Sequence, residues 1–246
     1  MLRLFSFLVL LTVFTSSFAQ VFESTEKPTA LVELYTSEGC SSCPPADRWL
    51  SSLKDDEGLW KEFVPLAFHV DYWDYIGWED RFADKQYSQR QRRYAHEFSE
   101  PTVYTPGIRW AGHEWRAWRR GVLPQSTPIE KSAVLTLSVD QAGEFIASYA
   151  DGGGASKLNI AILGSGLETK VERGENRGHT LKHDFVVLHY QVLNPSSAGQ
   201  WRGSLTAPEI DAARYAVAVW VSDGSSQLPL QATGGYLSEH TWTPES

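Results

Sequence analysis

The sequence predicts an α/β unit in the first half of the chain and an all-β antiparallel sandwich in the second. Three observations carry this. An apolar run at residues 30–35 leads into Cys40-Ser41-Ser42-Cys43, and a helical pattern of Ala46, Trp49, Leu50 and Leu53 follows. Strand-like and helix-like patterns then alternate as far as Trp118, the order expected of helices packed on a mixed sheet. From Ala133 onward the apolar runs are short and separated by Gly, Ser, Asn and Asp, the mark of hairpin-linked strands. The expected boundaries are a leader at 1–19, an α/β domain at 28–125 and a sandwich at 130–246.

The leader has Arg3 as its positive end, an apolar stretch at 4–14 and Ser17-Phe18-Ala19 as a small-x-small cleavage site. The apolar stretch is short of the ~20 residues that a membrane span needs. The expectation is an exported chain, periplasmic or secreted, with no membrane contact after cleavage; an uncleaved anchor is the alternative. In such a compartment a disulfide can form and persist. Removing Arg3 with the leader takes the 22 basic side chains to 21 against 30 acidic ones, a net charge of −9. That balance excludes nucleic acid as the expected partner, since phosphate binding wants a basic face. Arg90-Gln91-Arg92-Arg93 is the local exception, and it reads as a solvated helix face.

A second buried strand is expected over 63–70, with Pro65 near its start, where a missing ladder donor matters less. Residues 69–78 (His-Val-Asp-Tyr-Trp-Asp-Tyr-Ile-Gly-Trp) are dense in rings and carboxylates. A helix over 81–98 follows, with Phe82, Ala83, Tyr87, Tyr94, Ala95 and Phe98 on one face. A short strand at 108–111 turns through Gly112-His113 into 114–118. X-Pro bonds adopt cis far more readily than others, and a cis Pro106 would present the Thr105 backbone to an extended peptide. In the second half, 134–139 and 144–149 flank a Gln141-Ala142-Gly143 turn. Further strands are expected at 158–163, 185–192, 203–206, 216–221 and 228–232. Such strands over roughly 115 residues read as a sandwich of immunoglobulin-like size.

Cys40 and Cys43 are the two cysteines among 246 residues. A helix N-terminus favours an anion, so a thiol there is expected to fall from about 8.5 into the roughly 3.5–7.5 range. The spacing lets Cys43 attack a mixed disulfide formed at Cys40, provided a sulfur is reachable from solvent. Half of a zinc site has the same spacing but needs two further ligands, and the nearest paired histidines, His179 and His183, lie in a distant polar segment. A purely structural bridge closes so short a loop that it removes little chain entropy.

The strand–Cys-x-x-Cys–helix unit and the Thr105-Pro106 loop before a hairpin resemble the thioredoxin fold. That resemblance implies a thioredoxin-like first domain, Cys40 as nucleophile, Cys43 as resolving cysteine, and Pro106 with Thr105 as the loop that holds a substrate. Glu33 resembles the buried acid that relays protons beneath the disulfide. More closely, residues 33–47, 69–78, 104–106 and 174–181 (Gly-Glu-Asn-Arg-Gly-His-Thr-Leu) resemble a bacterial secreted family known as domain of unknown function twelve twenty-three. The implied partners are protein thiols or disulfides, with no cofactor. Two features depart from the thioredoxin pattern. Gly39 stands where a tryptophan is usual, and Gly121, Pro124 and Pro128 interrupt the last helix, so that either a short helix survives around 127–132 or the second domain covers that face of the sheet.

Other groups invite weaker readings. His69 with both cysteines would make a copper-chaperone site, since thiolate plus imidazole selects copper; a non-enzymatic binding module is the related alternative. Asp71 and Asp74 read as turn caps in an aromatic cover over the sheet. Glu175, Asn176, Arg177, His179 and His183 form either a polar site or a plain hairpin connection, the latter favoured. Gly152-Gly153-Gly154 reads as a loop tip, since no Gly-Lys-Ser/Thr follows.

Overall fold

All seven residues of strand β2 (Ala30–Thr36) are buried, because the strand lies inside a wide mixed sheet and under helices. The computed structural model describes residues 19–121, 123–124, 131–150, 156–194, 199–239 and 241–242. The leader up to residue 18, the expected hand-off at 125–130, most of the expected helix at 127–132 and the glycine run at 152–154 lie outside the described residues.

In chain order the other strands are β1 (Gln20–Glu23), β3 (Phe63–His69), β4 (Gly107–Trp110), β5 (His113–Glu114), β6 (Leu135–Val139), β7 (Glu144–Tyr149) and β8 (Ser156–Ser165). They continue with β9 (Leu167–Lys170), β10 (Thr180–His183), β11 (Val186–Leu193), β12 (Gln200–Ser204), β13 (Arg214–Asp223) and β14 (Pro229–Tyr236). Two α-helices, α1 (Pro44–Ser52) and α2 (Lys85–Glu97), and three short 3-10 helices complete the described elements. One sheet of eight strands runs β14-β13-β8-β11-β3-β2-β4-β5, and a second of four runs β1-β6-β7-β12.

This arrangement corrects the expected fold class. Strands hold 41% of the described residues and helices 17%, so the protein is mostly β rather than a thioredoxin-like α/β domain followed by an immunoglobulin-like sandwich. The two halves share their main sheet. β11 from the second half lies parallel to β3 from the first, with Val186 opposite Ala67 and Ala67 N–H donating to the Phe185 carbonyl at 2.8 Å. β1, at the other end of the sequence, pairs antiparallel with β6 in the second sheet. The local patterns could not reveal these pairings, because they join segments that are remote in sequence.

The core follows from alternation along β13, a strand buried on both faces. On β13, Ala216, Ala218 and Trp220 belong to one apolar cluster with β2, β3 and both helices. Val217, Val219 and Val221 belong to another, against Leu135, Leu137, Phe145 and Ala147 of the four-stranded sheet.

A buried ion pair also joins the halves. Arg90 Nε donates to Glu33 Oε1 at 2.7 Å, Arg90 Nη1 donates to the Tyr190 hydroxyl at 3.1 Å, and the Tyr94 hydroxyl donates to Glu33 Oε2 at 2.7 Å. The guanidinium carbon lies 5.1 Å from the Trp220 ring centre. The expected solvated face at 90–93 is therefore corrected: Arg92 and Arg93 are exposed, whereas Arg90 and Gln91 are buried. The reason is the period. Tyr87, Arg90, Gln91 and Tyr94 recur at the three- and four-residue spacing of the inward stripe, so Arg90 points at the sheet and meets Glu33.

Candidate functional site

The cysteines lie between β2 and α1. Cys43 is the residue capping α1, and Pro44 and Pro45 occupy the first turn, where their missing donors and fixed φ suit a helix start. Cys40 sits one turn earlier: its N–H donates to the Ser37 carbonyl at 3.1 Å and its own carbonyl accepts from Cys43 N–H at 3.2 Å. Both thiols are free. Cys40 is 1% exposed and Cys43 0%, so the expectation of an open sulfur is corrected. Both are covered.

Burial does not make the two thiols alike. A hydrogen bond from Cys43, helped by Ser42 and the Thr105 hydroxyl, outweighs burial and brings Cys40 down to about 6. Burial pushes Cys43 well above the ordinary thiol value, and its bond to Cys40 and the nearby Asp47 carboxylate add to this. At neutral pH the pair is a thiolate at Cys40 held by a thiol at Cys43, with Cys40 Sγ also 3.3 Å from Ser42 Oγ. The Thr105–Pro106 bond is cis, and the Thr105 side chain faces both sulfurs.

The buried acid beside Cys43 is Asp47. It stands four residues on, the spacing that places two side chains on one helix face, and burial raises its carboxyl above the ordinary value. Glu33 is buried too, but its oxygens are engaged by Arg90 and Tyr94.

Beneath the loop lies a polar cluster. His69 Nδ1 is 2.7 Å from Asp80 Oδ2, both side chains fully buried, and Asp80 Oδ2 also accepts from Glu38 N–H at 2.8 Å. Burial opposes charge on His69, yet the Asp80 carboxylate outweighs it and holds the imidazole above its usual value. Burial acts against Asp80 as well, and charged His69 keeps that carboxyl below the usual range. His183 Nε2 stands 3.4 Å from Glu38 Oε1, and the His69 and His183 rings meet edge to face at 5.0 Å. His69 thus turns one nitrogen to Asp80 rather than to the thiols. Among the described residues, no group of three His, Cys, Asp or Glu is arranged to hold a metal ion.

Two segments close over the cysteine loop. The first is the 3-10 helix Asp71–Ile76, none of whose residues is fully buried. Its Tyr72 hydroxyl donates to Gln91 Oε1 at 3.1 Å, Gln91 Nε2 donates to the Tyr104 carbonyl at 2.8 Å, and Trp73 Nε1 donates to Thr105 Oγ1 at 2.8 Å. Asp71 is tied to Ser88 Oγ, and Asp74 Oδ1 accepts from Asp80 N–H at 3.2 Å. The second is the tip between β9 and β10. It is a hairpin connection, yet it also supplies site residues. Glu175 Oε2 accepts from Ser41 N–H at 3.1 Å and from Ser41 Oγ at 2.6 Å, and Asn176 Nδ2 donates to the carbonyls of Glu38 and Cys40 at 2.8 and 3.0 Å. Sequence reasoning gave no role to Asp47, Asp80 or Trp73. For Asp47 the four-residue spacing from Cys43 was the available signal.

Fold and site together define a mixed-sheet protein with a buried, asymmetrically titrating dithiol at the head of a helix. The chain belongs to the family described as Protein of unknown function (DUF1223), whose sequence profile matches residues 31–222. A crystal structure of the Agrobacterium tumefaciens protein AGR_C_4864 is similar, with 23% identity, TM-score 0.58, and 87% of this chain and 96% of that one covered. The structure of HBP35 of Porphyromonas gingivalis is also similar, with 15% identity, TM-score 0.55, and 88% and 77% covered. These are likenesses of fold. No curated protein matches the chain.

Proposed function

We propose that the protein is an exported thiol–disulfide oxidoreductase acting on protein thiols or disulfides in the periplasm or outside the cell. The observation that carries this reading is the asymmetry of the dithiol: Cys40 lowered to about 6 beside Cys43 raised well above the usual thiol value. The thiolate is the nucleophile of exchange, and this pair is set to supply one at neutral pH. A Thr–cis-Pro step facing both sulfurs, between a strand and a helix start, is an arrangement similar to the redox sites of the thioredoxin superfamily.

Cys40 thiolate attacks one sulfur of a substrate disulfide, forming a mixed disulfide and releasing the other sulfur as thiolate. Cys43 gives up its proton to Asp47 and attacks Cys40 Sγ. The Cys40–Cys43 disulfide forms and the second substrate thiolate leaves, so two electrons pass from protein to substrate; the reverse sequence oxidises a dithiol. Thr105 stabilises charge on either sulfur, and Pro106 shapes the loop beside them.

The test is insulin reduction and dithiol oxidation by the wild type against Cys40→Ser. Turnover lost in the variant supports the reading, and equal rates in both overturn it.

A further inference from the structure

Cys40 is 1% exposed, and Trp73 packs against the residue before it. A Cβ added at Gly39, next to Cys40, would lie 3.0 Å from Trp73 Cβ. At the far end of the same side chain, Nε1 is 2.8 Å from Thr105 Oγ1, and Thr105 faces Cys40. The indole therefore reaches from the residue before the nucleophile to the residue before the cis-proline, and Cys40 lies between these ends. Gly39 is what lets it come so close. Ile76 Cδ1 adds to the cover, 3.2 Å from the same hypothetical Cβ.

The bond to Thr105 has a second consequence. A hydroxyl has one proton and two lone pairs. With a lone pair of Thr105 taken by the indole N–H, its proton is free to turn toward sulfur. We infer that Trp73 is the latch of this site: closed, it shields Cys40 and aims the Thr105 hydroxyl at it; released, it opens the path to a substrate disulfide. The inference rests on the exchange reading for its purpose but not for its geometry. Gly77, directly after the 3-10 helix, has φ +92 and open space around its Cα, which suits a pivot for the segment.

The groups facing Cys40 are Cys43 and Ser42 of its own loop, Thr105 of the proline loop, the Tyr72 phenol with Arg92 over its ring, and Glu175 through Ser41. Trp73→Phe changes none of their charges. It keeps a ring in place and removes the N–H. Reduced full-length protein is treated with iodoacetamide across pH and with the bulkier dithiobis-nitrobenzoate, and the labelled cysteine is read by mass spectrometry. Wild type is expected to alkylate at Cys40 with a midpoint near the value of about 6. In Trp73→Phe the midpoint rises by about one unit, so alkylation at pH 6 slows about fivefold. Above about pH 8.5, where both forms are ionised, the rate of the bulky reagent relative to iodoacetamide rises severalfold.

Thr105→Val cuts the same chain from the other side and is expected to give the same pH shift, with no further shift in the double variant. Thr105→Ser, which keeps the hydroxyl, restores the midpoint. An unchanged midpoint and reagent ratio in Trp73→Phe, or additive shifts in the double variant, overturn the latch. If these reactivity changes appear but the wild type does not reduce insulin, the latch stands and the exchange reading falls.

Discussion

Asn176 and Cys40 are joined across 136 residues: the buried Asn176 amide donates 3.0 Å to the Cys40 carbonyl and 2.8 Å to that of Glu38. One side chain from the second half of the chain thus fixes the backbone on both sides of Gly39, and with it the position of Cys40.

Replacing Asn176 with Ala leaves the Glu38 carbonyl without that donor, while the Cys40 carbonyl keeps its bond from Cys43 N–H. One unsatisfied buried group costs about 1–3 kcal/mol, so a loss of about 2 kcal/mol in urea unfolding is expected. Cys40 alkylation should quicken as its loop loosens. Unchanged stability would mean that the amide is dispensable.

His69 and Asp80 set a pH window. Asp80 is held below the ordinary carboxylate value, so its share of stability is present above about pH 3.9 and is lost as pH falls through the lowered value. His69 is held above its ordinary value, so its share is complete below about pH 6.5 and is lost as pH rises through the raised one. Removing one partner of a buried pair costs about 3–5 kcal/mol. The deficit of Asp80→Asn against wild type should be largest between about pH 4 and 6.5; a deficit independent of pH would contradict the pairing.

Asp47 carries a burial penalty when ionised, and its carboxyl is raised accordingly. A raised acid favours the fold at low pH and loses that contribution as pH rises through its folded value. Asp47→Asn is therefore expected to stabilise the protein at neutral pH by about 1–3 kcal/mol. On the proposed exchange chemistry it should also slow release of substrate from a trapped mixed disulfide, because Cys43 would then lack its proton acceptor. Faster release would remove Asp47 from the mechanism.

Glu33→Gln separates structure from chemistry. It leaves Arg90 charged and buried without its carboxylate, an expected loss of about 3–5 kcal/mol, while the pH midpoint of Cys40 alkylation stays where it is. A shifted midpoint would return Glu33 to the site.

Much of this was legible in single segments. The apolar run at 30–35 is strand β2, the Cys-x-x-Cys pair precedes a helix, and most β runs of the second half fall within observed strands. Their grouping was not legible. A break in pattern near residue 130 looks like a domain boundary, but β11 docks beside β3 and β1 beside β6, and pairing of remote strands leaves no periodicity in either segment. Arg90 was misread because charge is taken as a surface signal, while its partner lies 57 positions away. Glu33 was read as a buried acid and is one, but the segment does not show that Arg90 and Tyr94 engage its oxygens. The segments at 69–78 and 174–181 stood out as motifs, and both reach the cysteine loop. The first read as an aromatic cover over the sheet, but the sequences alone did not show that it reaches the cysteine loop or that the second clamps that loop.

The pairing of β1 with β6 and of β11 with β3 bears on how the chain matures. Long-range pairing of this kind slows folding, because distant segments must meet before any contact rewards them. A ribosome delivers the early strands first, and their neighbours arrive only with the later residues. During that interval β3 offers a bare apolar edge beside two unprotected thiols. A chaperone that keeps the emerging polypeptide from aggregating or cross-linking is then most needed in the seconds before the last strands are delivered, since synthesis adds about 5–20 residues each second.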